Sequence, residues 1–121
     1  MARVLALTAD LLFGSRVAAS LTAAGHEVQL VANEGELRAA LTHAHAQALV
    51  VDLTDDRLEG LAAVAALAPE LSHTRTLAYY SHVDPVARER ALKAGVELAV
   101  PRSRMAREAP ELLARLLAAE C

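Results

Sequence analysis

A chain of 121 residues, 55% hydrophobic and 22% charged, is long enough for one compact domain with its own core, and nothing but an alanine-rich bias interrupts its complexity. Its net charge of −3, with Lys and Arg scattered along the chain, offers no field to attract nucleic acid or an anionic membrane surface, which argues against direct nucleic-acid binding. No apolar run approaches the roughly 20 residues of a bilayer span and the amino terminus carries no cleavable leader, so a single cytoplasmic domain over residues 1–121, without membrane contact, is expected.

Val4-Leu5-Ala6-Leu7 is short and continuously apolar, as suits a strand buried on both faces. Leu12, Val17, Leu21 and Ala24 then recur on one helical face, and Gly25 stands where a left-handed stop is expected, so the first helix ends near Ala24. His26 to Val31 alternates only in part and suits a sheet edge. Asn33 with Glu36 has the form of a capping box and starts a second helix through Leu37, Ala40 and Leu41, with His43 and His45 exposed at its end. Ala48-Leu49-Val50-Val51 is the next buried run, and Leu61, Val64, Ala65 and Ala68 carry a third helix as far as Pro69.

Leu77-Ala78-Tyr79-Tyr80 predicts a fourth strand. Asp84-Pro85 reads as an N-cap followed by proline in the first turn of a fourth helix, which runs to Ala94 and stops at Gly95. Val96 to Val100 is the fifth apolar run, with Glu97 as its one exception, and Pro110 is best placed at the start of a final helix carrying Leu112, Leu113, Leu116 and Leu117. Strands alternating with helices imply right-handed crossovers and a parallel sheet covered on both faces.

In such a sheet, ligands bind outside the carboxyl ends of the strands where the winding reverses, and Asp52 is expected at one of those ends. The acids after it, Asp55, Asp56 and Glu59, suit the first turn of the next helix, where the macrodipole favours negative charge.

Asp52-Leu53-Thr54 followed by Glu59-Gly60-Leu61 resembles the DLxLPxMDGL stretch of bacterial response-regulator receiver domains, and Leu92-Lys93-Ala94-Gly95-Val96 is similar to the KAGA segment before that family's last strand. The resemblance covers nearly the whole chain. It implies an α/β, flavodoxin-like, doubly wound sheet of five parallel strands in the order 2-1-3-4-5 with about five helices. It also implies that Asp52 is the phosphate-accepting residue, and that Mg²⁺ would be held by Asp52, an acid after strand one and the backbone carbonyl of Thr54.

Several matching positions depart from the family. The acid pair after strand one reads Thr8-Ala9-Asp10, so Asp10 is the one carboxylate available there. Where the family has Thr or Ser after strand four, this chain has Tyr80, with Ser81 next in line. The cation after strand five is Arg102, preceded rather than followed by a proline, Pro101. Mg²⁺ wants hard oxygens in near-octahedral array, and one carboxylate besides Asp52 is a thin supply. Without a cation, charges about 4 Å apart repel by roughly 4 kcal/mol at an effective dielectric near 20, which slows transfer roughly a thousandfold.

Other signals are weaker. Phe13-Gly14-Ser15-Arg16 has the composition of an anion-binding turn without a complete phosphate-loop motif. His82 lies near Asp84 in a loop, where histidines are usually solvated, and the lone cysteine, Cys121, permits no intrachain disulfide. Three functions therefore compete. The first expectation is a stand-alone, atypical receiver that signals through protein contact, with a sensor kinase or downstream regulator as partner and weak or absent Mg²⁺-dependent phosphorylation. In that role it is not an enzyme, and the face of helix four, strand five and helix five serves its partners or a homodimer. The second is an active phospho-accepting response regulator of a two-component system. The third is a flavodoxin-like domain binding a nucleotide or other anion at Gly14-Ser15.

Overall fold

The computed structural model describes residues 1–118. In chain order the elements are Arg3–Leu7 (β1), Leu11–Ala23 (α1), Glu27–Val31 (β2), Glu34–His43 (α2), Ala48–Asp52 (β3), Gly60–Ala66 (α3), Arg75–Tyr80 (β4), Ala87–Lys93 (α4), Leu98–Pro101 (β5) and Arg102–Ala118 (α5), with a short 3₁₀ turn at Asp56–Leu58. The strands form one parallel sheet in the order β2-β1-β3-β4-β5, as expected. The winding reverses at β1, so the carboxyl ends of β1 and β3 flank the switch point.

Period-two alternation divides the strand side chains between two cores. Val4, Ala6, Ala48, Val50, Leu77 and Tyr79 face α1 and α5, where Phe13, Val17, Met105 and Leu113 complete the layer. Leu5, Leu7, Leu49, Val51 and Ala78 face the opposite layer with Leu37, Val64 and Ala91 of α2, α3 and α4. All five residues of β3 are buried, whereas β2 buries only Val31 and lies at the sheet edge.

The local signals place the helix ends well. Gly25 adopts φ 97° after the cap at Ala24, and Asn33 Oδ1 accepts from the Glu36 N–H at 2.9 Å while Glu36 Oε1 accepts from the Ala32 N–H at 3.0 Å. Asp84 Oδ1 accepts from the N–H groups of Val86 and Ala87, both at 3.1 Å, yet regular helix begins only at Ala87. The third helix stops at Ala66, short of Pro69, because Leu67 caps it and irregular turns follow to β4.

At the carboxyl end one expectation needs correction and another needs extension. The last strand begins at Leu98 rather than Val96, because the Val96 N–H returns to the Ala91 carbonyl (3.0 Å) to close α4 and Gly95 turns the chain at φ 99°. Arg102–Ala118 is two helical segments joined at a kink, where Glu108 leaves helical geometry at φ −128° and ψ 20°. Pro110 stands in the first turn of the second segment, as expected, where its missing N–H costs no bond. The first segment, from Arg102, was not expected, and buried Met105 and Ala109 give it something to pack on. Among the described residues, no helix is long and apolar enough to cross a membrane.

Candidate functional site

Asp52 ends β3 at the switch point and is only 1% exposed. Its carboxylate oxygens are both engaged. Oδ1 accepts from the Thr54 N–H at 2.7 Å and the Thr54 hydroxyl at 2.6 Å, and Oδ2 accepts from the Thr8 hydroxyl at 2.6 Å. Thr8 Oγ1 in turn accepts from the Asp10 N–H at 3.0 Å, so one hydroxyl links the end of β1, the start of α1 and the end of β3.

Two glycines set how closely the surrounding elements approach. A Cβ on Gly14 would lie 2.6 Å from Thr8 Cγ2, and a Cβ on Gly60 would lie 2.7 Å from Val51 Cγ1 and 3.2 Å from the Asp52 carbonyl oxygen. The Gly60 of the Glu59-Gly60-Leu61 stretch is therefore needed for close packing of α3 on β3. The residue before it, Glu59, takes the left-handed conformation at φ 52°. Asp55 caps the short 3₁₀ turn through the Arg57 N–H at 2.9 Å and Asp56 lies in that turn, whereas Glu59 precedes α3 without a side-chain cap bond, so the acids belong to the turn before α3 rather than to its first turn as expected. The Arg57 side chain, hydrogen-bonded to Asp55, holds the Asp55 carboxyl below its ordinary range.

Asp10 and Arg102 are brought together, but beside the site rather than on Asp52. Asp10 caps α1, its Oδ1 accepting from the Phe13 N–H at 3.0 Å, and its Oδ2 meets Arg102 Nη2 at 3.4 Å. The Arg102 guanidinium also lies 4.3 Å from the centre of the Phe13 ring, in cation–π range. No ion pair reaches Asp52 among the described residues.

The strand register gives Asp52 a neighbour besides Tyr80, which ends β4. Asp52 is opposite Tyr79, so the side chain that shares its face is Tyr79, while Tyr80 packs against the other core. The Tyr79 ring packs on Phe13 with centroids 5.1 Å apart and planes tilted by 55°. Burial first, and then the negative charge of Asp52, push the Tyr79 phenol well above its ordinary ionisation range. Ser81 follows the strand end, half-buried, and its carbonyl accepts from the Asp84 N–H at 3.0 Å.

Thr8 and Tyr79 are the residues that sequence reasoning missed. Period-two counting from Asp52 across the β3 and β4 pair finds Tyr79, and the place after strand one finds Thr8 once its hydroxyl is weighed as a donor.

The Mg²⁺ that the sequence resemblance implies finds a poor set of ligands here. The carboxylate oxygens of Asp52 accept hydrogen bonds from donors, and Asp10 is committed to a helix cap and a guanidinium. No group of three His, Cys, Asp or Glu side chains gathers to hold a cation among the described residues. His43, His45 and His82 are all exposed. Gly14-Ser15 forms no anion-binding turn. It lies within α1, the Gly14 N–H is bonded to the Asp10 carbonyl at 2.8 Å, and a carboxylate already occupies the helix amino terminus.

No protein-family profile matches the sequence, and no curated relative matches it. Solved structures do. A receiver domain of a Francisella response regulator is 14% identical, with a TM-score of 0.83 and 97% of each chain covered. The chemotaxis protein CheY4 of Vibrio cholerae is 21% identical at a TM-score of 0.83, covering 96% of this chain and 98% of its own. A response regulator from Thermotoga maritima is 19% identical at a TM-score of 0.82, covering 97% and 98%. Over nearly its whole length, then, the chain has the flavodoxin-like fold of response-regulator receiver domains.

Proposed function

We propose that this chain is an atypical receiver module of cytoplasmic signal transduction that acts through protein–protein contact, with phosphorylation at Asp52 weak or absent. The observation that carries this reading is the closure of Asp52. An acceptor that is 1% exposed, with both oxygens hydrogen-bonded and the nearby Arg102 held by Asp10, is poorly placed to attack a phosphodonor. Phosphoryl transfer depends on positioning and on a cation that neutralises developing charge, and neither is provided for.

The partner is a sensor kinase or a downstream regulator, and the surface we assign to it is the face of α4, β5 and α5. Leu92 is 39% exposed there, and the ion pairs Lys93–Glu89 and Arg104–Glu108 flank it with charge of both signs. The same face supports a homodimer, for which a shift to later elution of Leu92→Arg in gel filtration is the check. We assign no catalytic residue.

The test is intact-mass measurement after incubation with acetyl phosphate, with and without Mg²⁺, on the wild type and Asp52→Asn. The expected result is little or no adduct in a folded wild type. The position of Asp52 at the end of β3 favours one other reading, an active phospho-accepting regulator of a two-component system. A stoichiometric, Mg²⁺-dependent adduct that Asp52→Asn lacks would establish that reading instead.

A further inference from the structure

We infer that the Thr8 and Thr54 hydroxyls stand where a divalent cation would otherwise neutralise Asp52, so that the site excludes Mg²⁺ and Thr8 acts as the positioning residue that keeps it closed. The inference rests on the receiver reading and concerns the chemistry of its central site.

A hard cation binds through oxygen lone pairs, in near-octahedral array for Mg²⁺. At Asp52 those lone pairs meet hydrogens: the Thr54 N–H and O–H on Oδ1, at 2.7 and 2.6 Å, and the Thr8 O–H on Oδ2, at 2.6 Å. Thr8 cannot readily turn its hydroxyl into a ligand. Its oxygen accepts from the Asp10 N–H at 3.0 Å, which directs the hydrogen toward Asp52, and its methyl sits where a Cβ at position 14 would be only 2.6 Å away. The side chain is thus fixed by two polar contacts and by the glycine of α1 above it. The other carboxylate within reach, Asp10, is turned toward the Phe13 N–H and Arg102.

Thr8 is close in size to the acid it replaces in the family pattern, which makes the idea testable by a single exchange. Mn²⁺ is titrated into isotopically labelled protein, and paramagnetic broadening of backbone amides is read at Thr8, Asp52 and Thr54. The variants are Thr8→Asp, which restores a carboxylate, Thr8→Asn, which has the same shape without the charge, and Asp52→Asn. The wild type is expected to show no broadening centred on these residues. Thr8→Asp is expected to gain it and to bind Mn²⁺ about tenfold or more tighter than Thr8→Asn.

Site-centred broadening in the wild type that disappears in Asp52→Asn would overturn the inference, and that arm stands even if a Thr8 variant does not fold. A folded Thr8→Asp that binds no better than Thr8→Asn would overturn it as well. The outcome is separable from the phosphorylation test. Metal binding by a wild type that takes no phosphate defeats this inference alone, whereas a phosphate adduct without metal binding defeats the proposed function alone.

Discussion

The two ends of the sheet treat a carboxylate in opposite ways. At the amino end of β4, Glu97 exchanges hydrogen bonds with Thr76, its N–H donating to Thr76 Oγ1 at 3.0 Å and its Oε1 accepting from the Thr76 N–H at 3.3 Å. Arg75 Nη2 faces its other oxygen at 3.1 Å. The Glu97 side chain stays 37% exposed, so water shares the charge. At the carboxyl end of β3, Asp52 also meets threonine hydroxyls, but it is buried and forms no ion pair among the described residues. The first arrangement is a half-buried ion pair at the sheet's margin that ties β4 to the approach of β5. The second concentrates several hydrogen bonds on one buried acid at the switch point, where the fold would place a ligand, and so makes the site depend on its threonines.

The sharpest way to break this comparison is to remove the hydroxyl at each end. Thr8→Val deprives Asp52 Oδ2 of its donor and the Asp10 N–H of its acceptor, and should cost about 3 kcal/mol, against about 1 kcal/mol for Thr76→Val. Urea unfolding midpoints of the two variants measure the difference, and equal losses would mean that the two ends are energetically alike.

Gly60→Ala forces a Cβ to within 2.7 Å of Val51 Cγ1 and should destabilise by about 2 kcal/mol through overpacking. Its unfolding midpoint checks this.

Next in size is an alkaline effect confined to the carboxyl end. Burial and the charge of Asp52 raise the Tyr79 phenol above its ordinary value, so the folded state holds the proton more tightly than the unfolded chain does. That contribution is fully present below about pH 10, the pKa of a free tyrosine, and is lost as pH rises above it. Thermal unfolding followed from neutral into alkaline solution should show a falling midpoint, and Tyr79→Phe should flatten that fall.

The smallest effect belongs to Glu97→Gln. It weakens a half-buried ion pair and should cost about 1 kcal/mol, less in high salt. Melting at low and high ionic strength reads it.

Much of the fold was legible because its signals are local. Asn33, Gly25 and Gly95 carry their instructions in their own side chain or backbone freedom, and the apolar runs at Ala48 and Leu77 mark buried strands without reference to their neighbours. Asp52 was found by its position at the end of such a run. Features that depend on register were not legible. Counting back along the chain finds Tyr80 at the strand end, but the pairing of Asp52 with Tyr79, which puts the preceding ring on the shared face, needs the register.

Thr8 was visible only as a departure from an acidic pattern. Its bond to Asp52 requires β1 and β3 to lie side by side, which no window of sequence displays. The first half of α5 escaped notice because Arg102 to Arg107 is polar except for Met105 and Ala106, and its helix is stabilised by packing that the local pattern does not announce.

The borders of the sheet have a consequence for how copies of the chain behave when crowded. One border is β2, whose Glu27 and Gln29 are exposed and put a charge and an amide along its length. The other is β5, four residues long and ending in Pro101, which has no N–H to offer a further strand. Both are poor templates for strand addition, so the molecule resists edge-to-edge aggregation, and association between copies is steered to its helical faces.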